Sequence, residues 1–181
     1  AWSAIIITFI FARYFVDVLS EDQNIGTLYW TWTIGLSSLT AALLSPFFGS
    51  ISDQTQKSKL WLLMTTFIYS FIAFSFWFAA PNMMNFFLVI ILIFIGNVAY
   101  EISQIFYNGQ LKQITNKNSY AKLSGLSWGL GYLGTVVIFL IYYILFFLPG
   151  DPIFNLDKST FENIRISFPI TGLWIILFSL P

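Results

Sequence analysis

The chain has 181 residues with eight acidic and eight basic side chains, so its formal net charge is zero. Charged residues make up 9% of it and hydrophobic residues 57%, with Phe alone filling 21 positions; so few charges cannot coat a soluble globule, which excludes a soluble enzyme, a nucleic-acid binder with a basic face and a disordered tail. The sequence has no Cys and no His, so disulfide frameworks, thiolate or imidazole metal sites and His-based triads are excluded as well.

What remains is an all-α integral membrane protein. A bilayer core ~30 Å thick takes ~20 apolar residues per helix. Six transmembrane helices fit, near 1–19, 27–48, 60–80, 85–104, 122–148 and 166–181, in one domain over 1–181. The runs are too long for barrel strands and lack their ~10-residue apolar/polar alternation. In the first span Arg13 and Asp17 are four apart and share a helix face. A guanidinium inside a span is a functional candidate, and its planar fork suits a carboxylate. Arg13 is therefore expected to point into a central cavity. Asp17 falls at the outer interface, where such a pair is weak. Trp30 and Trp32 anchor the outer end of the second span and Trp61 the inner end of the third. Between these two spans, the polar loop Ser50–Lys59 follows Gly49, with Asp53 and Lys57 inside it. Gly49 permits close helix approach, and Asp53 can cap the next element or pair with a cation. A break at Pro81–Asn85 leads to the fourth span, where Asn97 and Glu101 lie one turn apart and join Arg13 as candidate solute-binding residues. The loop Gln110–Ala121 follows. The fifth span is long enough that it must tilt or kink. Its Gly125, Gly129, Gly131 and Gly134 form a small-residue run expected to pack against another helix. After the loop Pro149–Arg165, the sixth span runs to Pro181.

Lys and Arg are retained on the cytoplasmic side of a membrane. Lys57, Lys59, Lys112, Lys117 and Lys122 lie in alternate loops, against Lys158 and Arg165 on the opposite side. Both ends of the chain are therefore expected in the cytoplasm, and the acidic loops outside. Neither end carries a closing polar segment, so the chain reads as part of a longer protein. There is no Walker motif, and no cofactor is expected.

The stretch GSISDQTQKSK places Gly49, Asp53 and Lys57 at the spacings of G-x-L-A-D-R-x-G-R-K, with Gln54, Gln56 and Ser58 departing from it. It resembles the loop motif of the major facilitator superfamily. Phe106-Tyr107-Asn108-Gly109-Gln110-Leu111, followed by Leu123-Ser124-Gly125-Leu126-Ser127-Trp128-Gly129-Leu130-Gly131-Tyr132-Leu133-Gly134, is similar to one branch of that superfamily. That branch holds the vacuolar amino-acid effluxers of autophagy and their bacterial relatives. Arg165, Phe168-Pro169, Leu173-Trp174 and Phe178-Ser179-Leu180-Pro181 resemble its sixth span, while Trp2 stands where Asn is usual and Lys112 where Pro is usual.

The resemblance implies the N-terminal half of a twelve-helix secondary transporter. This half would be built as two inverted three-helix repeats and work by alternating access against a missing C-terminal half. It further implies that Asp53 and Lys57 belong to a conformational latch. The cargo would be a small polar solute, such as an amino acid. A coupling proton in this half would need a carboxyl, since His is absent. The expected setting is the inner (plasma) membrane of a bacterium, with the lipid bilayer, the solute and the second half as partners and no nucleic acid. The alternative is a non-transporting six-span scaffold or assembly subunit. An intramembrane enzyme would need clustered acids or metal ligands that the sequence lacks.

Overall fold

A computed structural model describes residues 1–55, 57–81, 85–114, 119–150 and 153–179; the side chains of Asp53 and of residues 111–114 lie outside that description. The described chain is helical, with no strand among the described residues. Four helices are long and apolar enough to cross a membrane, at Gln23–Ser52, Ser58–Phe78, Phe86–Gln110 and Tyr120–Phe147.

The first segment is a helix of mixed winding. π-Helical turns at Ser3–Phe9 and Phe15–Leu19 flank the short α1, Phe11–Tyr14. Its i→i+5 bonds include Ile10 N to Ile5 O at 3.2 Å and Ser20 N to Phe15 O at 3.1 Å. The run Ile5-Ile6-Ile7-Thr8 is β-branched throughout, which suits a tight α turn poorly. Trp2, Ile5, Ile6, Phe11, Tyr14 and Phe15 are buried on one side.

Asp22 starts the next helix by accepting the backbone N–H groups of Asn24 at 2.8 Å and Ile25 at 3.0 Å. α2 then runs over Gln23–Thr55, through Pro46. α3 spans Ser58–Ser75 and ends in a 3-10 turn at Phe76–Phe78. The expected loop Ser50–Lys59 is thus mostly helix. Its polar residues mark where the chain leaves an apolar setting, but no Gly or Pro interrupts 50–55 and the backbone bonding continues. A hydroxyl pair, Ser52 and Ser58 at 2.6 Å, closes the turn between the two helices. α4, Phe86–Ile114, likewise runs into the expected loop Gln110–Ala121. α5 is Tyr120–Tyr142 and continues as a π-helical turn, Tyr143–Phe147. The sixth expected span arrives in two pieces, α6 (Glu162–Arg165) and α7 (Ser167–Ser179). Before α6, the Asp157 carboxyl accepts the Ser159 backbone N–H and hydroxyl, which hold it below the usual carboxylate range.

The core is aromatic and sits where the first segment, α3, α4 and α7 meet. Phe11 stacks on Phe76 with ring centroids 4.1 Å apart and meets Phe168 edge-on at 4.9 Å. Phe15 stacks on Phe86 at 5.0 Å. Three glycines admit bulk that a side chain would block, Gly26 at the start of α2 by receiving the Ser20 side chain. A Cβ at Gly96 on α4 would lie 2.6 Å from the Trp2 ring, and one at Gly172 on α7 would lie 2.9 Å from the Phe74 ring and 3.0 Å from the Ser70 carbonyl. α5 is buried chiefly toward its C-terminal end, at Ile138, Tyr142 and Phe146. The Tyr142 hydroxyl donates to the Ser167 carbonyl at 2.8 Å and pairs with the Thr171 hydroxyl at 3.0 Å, pinning α5 to α7.

Candidate functional site

The exposed side of the first segment carries its polar residues: Ser3, Thr8, Arg13 and Asp17. Winding explains the alignment. On an α-helix, residues five apart fall on different sides, but i→i+5 bonding sets residues four to five apart nearly above one another. Thr8 reinforces this by donating its hydroxyl to the Ser3 carbonyl at 2.9 Å. Ser3 lines a cavity of about 610 Å³ between the first segment, α3, α4, α5 and α7. That volume falls in the range of small-molecule sites, ~300–1,000 Å³.

Each helix delivers its lining at helical spacing. α4 supplies Tyr100, Gln104 and Tyr107; α5 supplies Ser127, Trp128, Tyr132 and Thr135; α7 supplies Trp174 and Phe178. Trp128 and Tyr132 lie with ring centroids 6.1 Å apart, and Trp174 and Phe178 at 4.5 Å. On the far wall Trp2 meets Tyr69 edge-on at 5.5 Å, and Tyr69 meets Tyr100 at 5.9 Å. The indole Nε1 of Trp2 is buried without a hydrogen-bond partner among the described residues. The sequence held these aromatics in plain view, at i, i+4 spacing on α5 and α7 and at i, i+7 on α4. Nothing in it said that the rows would converge.

The expected binding trio is not brought into this cavity. Arg13 is paired with Asp17, its side chain 78% exposed, and is not among the residues that line the cavity. Asn97 is buried and turned toward α2, where its amide donates to the Ser37 hydroxyl at 2.8 Å and the Ser38 hydroxyl at 3.4 Å. It joins two helices because burying an amide without such a partner would be costly. Glu101 follows it by one turn and is half-buried, while the cavity takes its neighbour Tyr100.

The motif residues are also relocated. Gly49 and the backbone of Asp53 are in α2, and a Cβ at Gly49 would meet nothing within 4 Å. Lys57 is the exposed residue before α3. The side chains of Asp53 and Lys112, and all of Lys117 and Asp151, lie outside the described residues. Among the described residues, a Cβ at Gly125, Gly129 or Gly131 would meet nothing within 4 Å, and one at Gly134 only the Trp174 ring at 3.9 Å. The close approaches fall to Gly26, Gly96 and Gly172 instead.

One buried charge escaped the sequence reading, which placed it in a loop. Arg165 on α6 is 4% exposed. Its Nη1 donates to the Trp77 carbonyl at 2.7 Å, its guanidinium carbon lies 5.1 Å from the Trp77 ring centroid, and Glu162 is 3.7 Å from Nη2. The Tyr14 hydroxyl donates to the Ala79 carbonyl at 2.7 Å. Together they satisfy carbonyls left open where α3 and its 3-10 turn end. Its sequence signs were a single Arg directly before an apolar run and its place at the head of the sixth-span resemblance.

The family model described as "Vacuole effluxer Atg22 like" matches residues 16–181. The chain is 23% identical over 191 aligned residues to the uncharacterized MFS-type transporter YxiO of Bacillus subtilis (strain 168), an alignment covering 100% of this chain and 42% of that protein. The chain thus spans less than half the length of this curated relative. No solved structure matches it. With a match over nearly its whole length, the chain belongs to the vacuole effluxer Atg22-like family, within the major facilitator type of membrane transporters.

Proposed function

We propose that the chain is the N-terminal six-span half of a secondary transporter that moves a small polar solute by alternating access. The observation that carries this reading is the cavity beside the polar face of the first segment, lined by elements from both ends of the chain. A water-filled solute path needs such a surface, whereas a helix facing lipid would not array Ser3, Thr8, Arg13 and Asp17 together. Counting six spans requires reading the mixed first segment as one span and α6–α7 as another; each then comes near the ~20-residue length. The two inverted three-helix repeats would be the first segment with α2 and α3, and α4 with α5 and α6–α7. The charge pattern favours cytoplasmic ends, and the relative's source favours the plasma membrane of a bacterium. The cavity then opens toward the cytoplasm.

In this reading Gly49, Asp53 and Lys57 form the latch near the cytoplasmic ends of α2 and α3. Gly125, Gly129, Gly131 and Gly134 give the second half a smooth surface to pack and slide against. Arg13, on the exposed side of the first segment, serves an anionic group of the cargo when it releases Asp17. Full-length protein in proteoliposomes, given labelled amino acids and an imposed proton gradient, should accumulate at least one of them. Folded protein that moves no small polar solute would refute the reading.

A further inference from the structure

Within that transport reading, we infer that the cavity takes the organic ammonium end of its solute, held by aromatic faces rather than by a carboxylate. Among the described residues, no Asp, Glu, Lys or Arg side chain lines it. Apart from its aromatic residues, its polar side chains, Ser3, Gln104, Ser127, Thr135 and Ser179, are neutral. What it has in abundance is π surface, on two walls. Tyr69 and Tyr100 form one, Trp128 and Tyr132 another, and Trp174 lies on α7 between them and the core.

The chemistry follows from the sign of that surface. An aromatic face is the negative side of a quadrupole, so it attracts a cation and repels an anion. An isolated carboxylate entering here would lose water and meet no cationic side chain of the lining. A quaternary ammonium loses less on dehydration, because its charge is spread over methyl groups that also pack on rings, whereas a primary ammonium keeps a stronger claim on water. The neutral hydroxyls and the Gln104 amide can then hold the rest of a polar solute. The formal charge nearest in sequence is of the matching sign, since Glu101 follows Tyr100 on α4. Arg13 does not line the cavity and is already paired.

The test uses two probes of one shape. Choline and 3,3-dimethyl-1-butanol differ in replacing a quaternary nitrogen by carbon. Binding to purified full-length protein is measured by calorimetry or by intrinsic fluorescence. Choline should bind at least tenfold more tightly than the neutral isostere. Trp128→Leu and Tyr132→Leu should each weaken choline at least fivefold, and Trp128→Phe should recover most of the loss. Both side chains are more than half exposed, at 52% and 65%, so neither change removes core packing. Equal affinity for the two probes would overturn the inference. So would choline binding that is indifferent to both leucine variants. If neither probe binds while proteoliposomes still carry another solute, the inference falls and the transport reading stands. If no solute is carried and neither probe binds, both fall.

Discussion

Gly172 and Gly129 should respond in opposite directions to the same kind of change. At Gly172 an added Cβ lands 2.9 Å from the Phe74 ring and 3.0 Å from the Ser70 carbonyl. The ring can yield slightly, but the carbonyl belongs to the α3 backbone and cannot move without moving the helix. Overpacking of this kind costs about 1–3 kcal/mol, and a leucine reaches further into the same contact. At Gly129 the Cβ meets nothing within 4 Å. Replacing an interior helical Gly by Ala there gains ~0.8–1.0 kcal/mol of helix propensity. With roughly 2–4 °C of midpoint per kcal/mol at this size, Gly172→Leu should lower the thermal midpoint by several degrees and Gly129→Ala should raise it slightly. Gly172→Ala carries both terms and should fall between. The assay is thermal unfolding of purified protein in detergent, read by tryptophan fluorescence. An unchanged midpoint for Gly172→Leu would refute the α3–α7 contact. A large loss for Gly129→Ala in the full-length protein would show that the second half is locked tightly on that position rather than sliding over it.

Other expectations are shorter. Arg165→Met leaves the Trp77 carbonyl without its donor, a loss of about 1.5–3 kcal/mol by the usual worth of charge-assisted bonds, so the thermal midpoint should fall; an unaltered midpoint would remove Arg165 as the tie between α6 and α3. Asp53→Asn should leave expression and folding intact but slow transport by reconstituted full-length protein, and an unslowed cycle would discard the latch. Single cysteines at Asn24 and Asn155 should label from outside intact cells with an impermeant thiol reagent, whereas labelling only after permeabilisation would invert the topology. Arg13→Gln should weaken uptake of a carboxylate-bearing solute more than Arg13→Lys does, because lysine keeps the charge and loses only the fork; equal uptake by both would leave Arg13 with Asp17 alone.

The class of the fold was legible because it depends on one-dimensional quantities. Run length and charge scarcity separate membrane helices from everything else, and the four long helices lie where the apolar runs are. Helix ends were less legible for a physical reason. Polarity reports where a chain meets water, whereas a helix ends where its hydrogen bonding is interrupted. The GSISDQT stretch is polar yet contains no interruption after Gly49, so α2 continues to Thr55. Facing was harder still. Asn97 lies at a plausible depth for a solute ligand, but its amide turns to Ser37 on α2. The small-residue run on α5 states a capacity for close approach without supplying the approaching helix. Gly96 and Gly172, which no pattern marked, received Trp2 and Phe74. The π winding of the first segment had no clear signature either, and it is what aligns residues five apart on one face.

The bonding of the four-element end bears on how such a half would move. Tyr14 from the first segment and Arg165 from α6 both end on carbonyls at the close of α3, at 2.7 Å each. Phe11, Phe76 and Phe168 fill the space between the first segment, the end of α3 and α7. Tyr142 ties α5 to α7 near that end. Sliding any one of these helices alone would strand a buried donor or carbonyl, and each such orphan costs ~1–3 kcal/mol. Rotating the whole set strands none. The exposed half of α5 and the cavity beside it lie away from these ties, so a second half could press on that surface without breaking them. Under the alternating-access proposal, this half is therefore built to rock as one body, with its adjustable surface confined to the side that carries the solute.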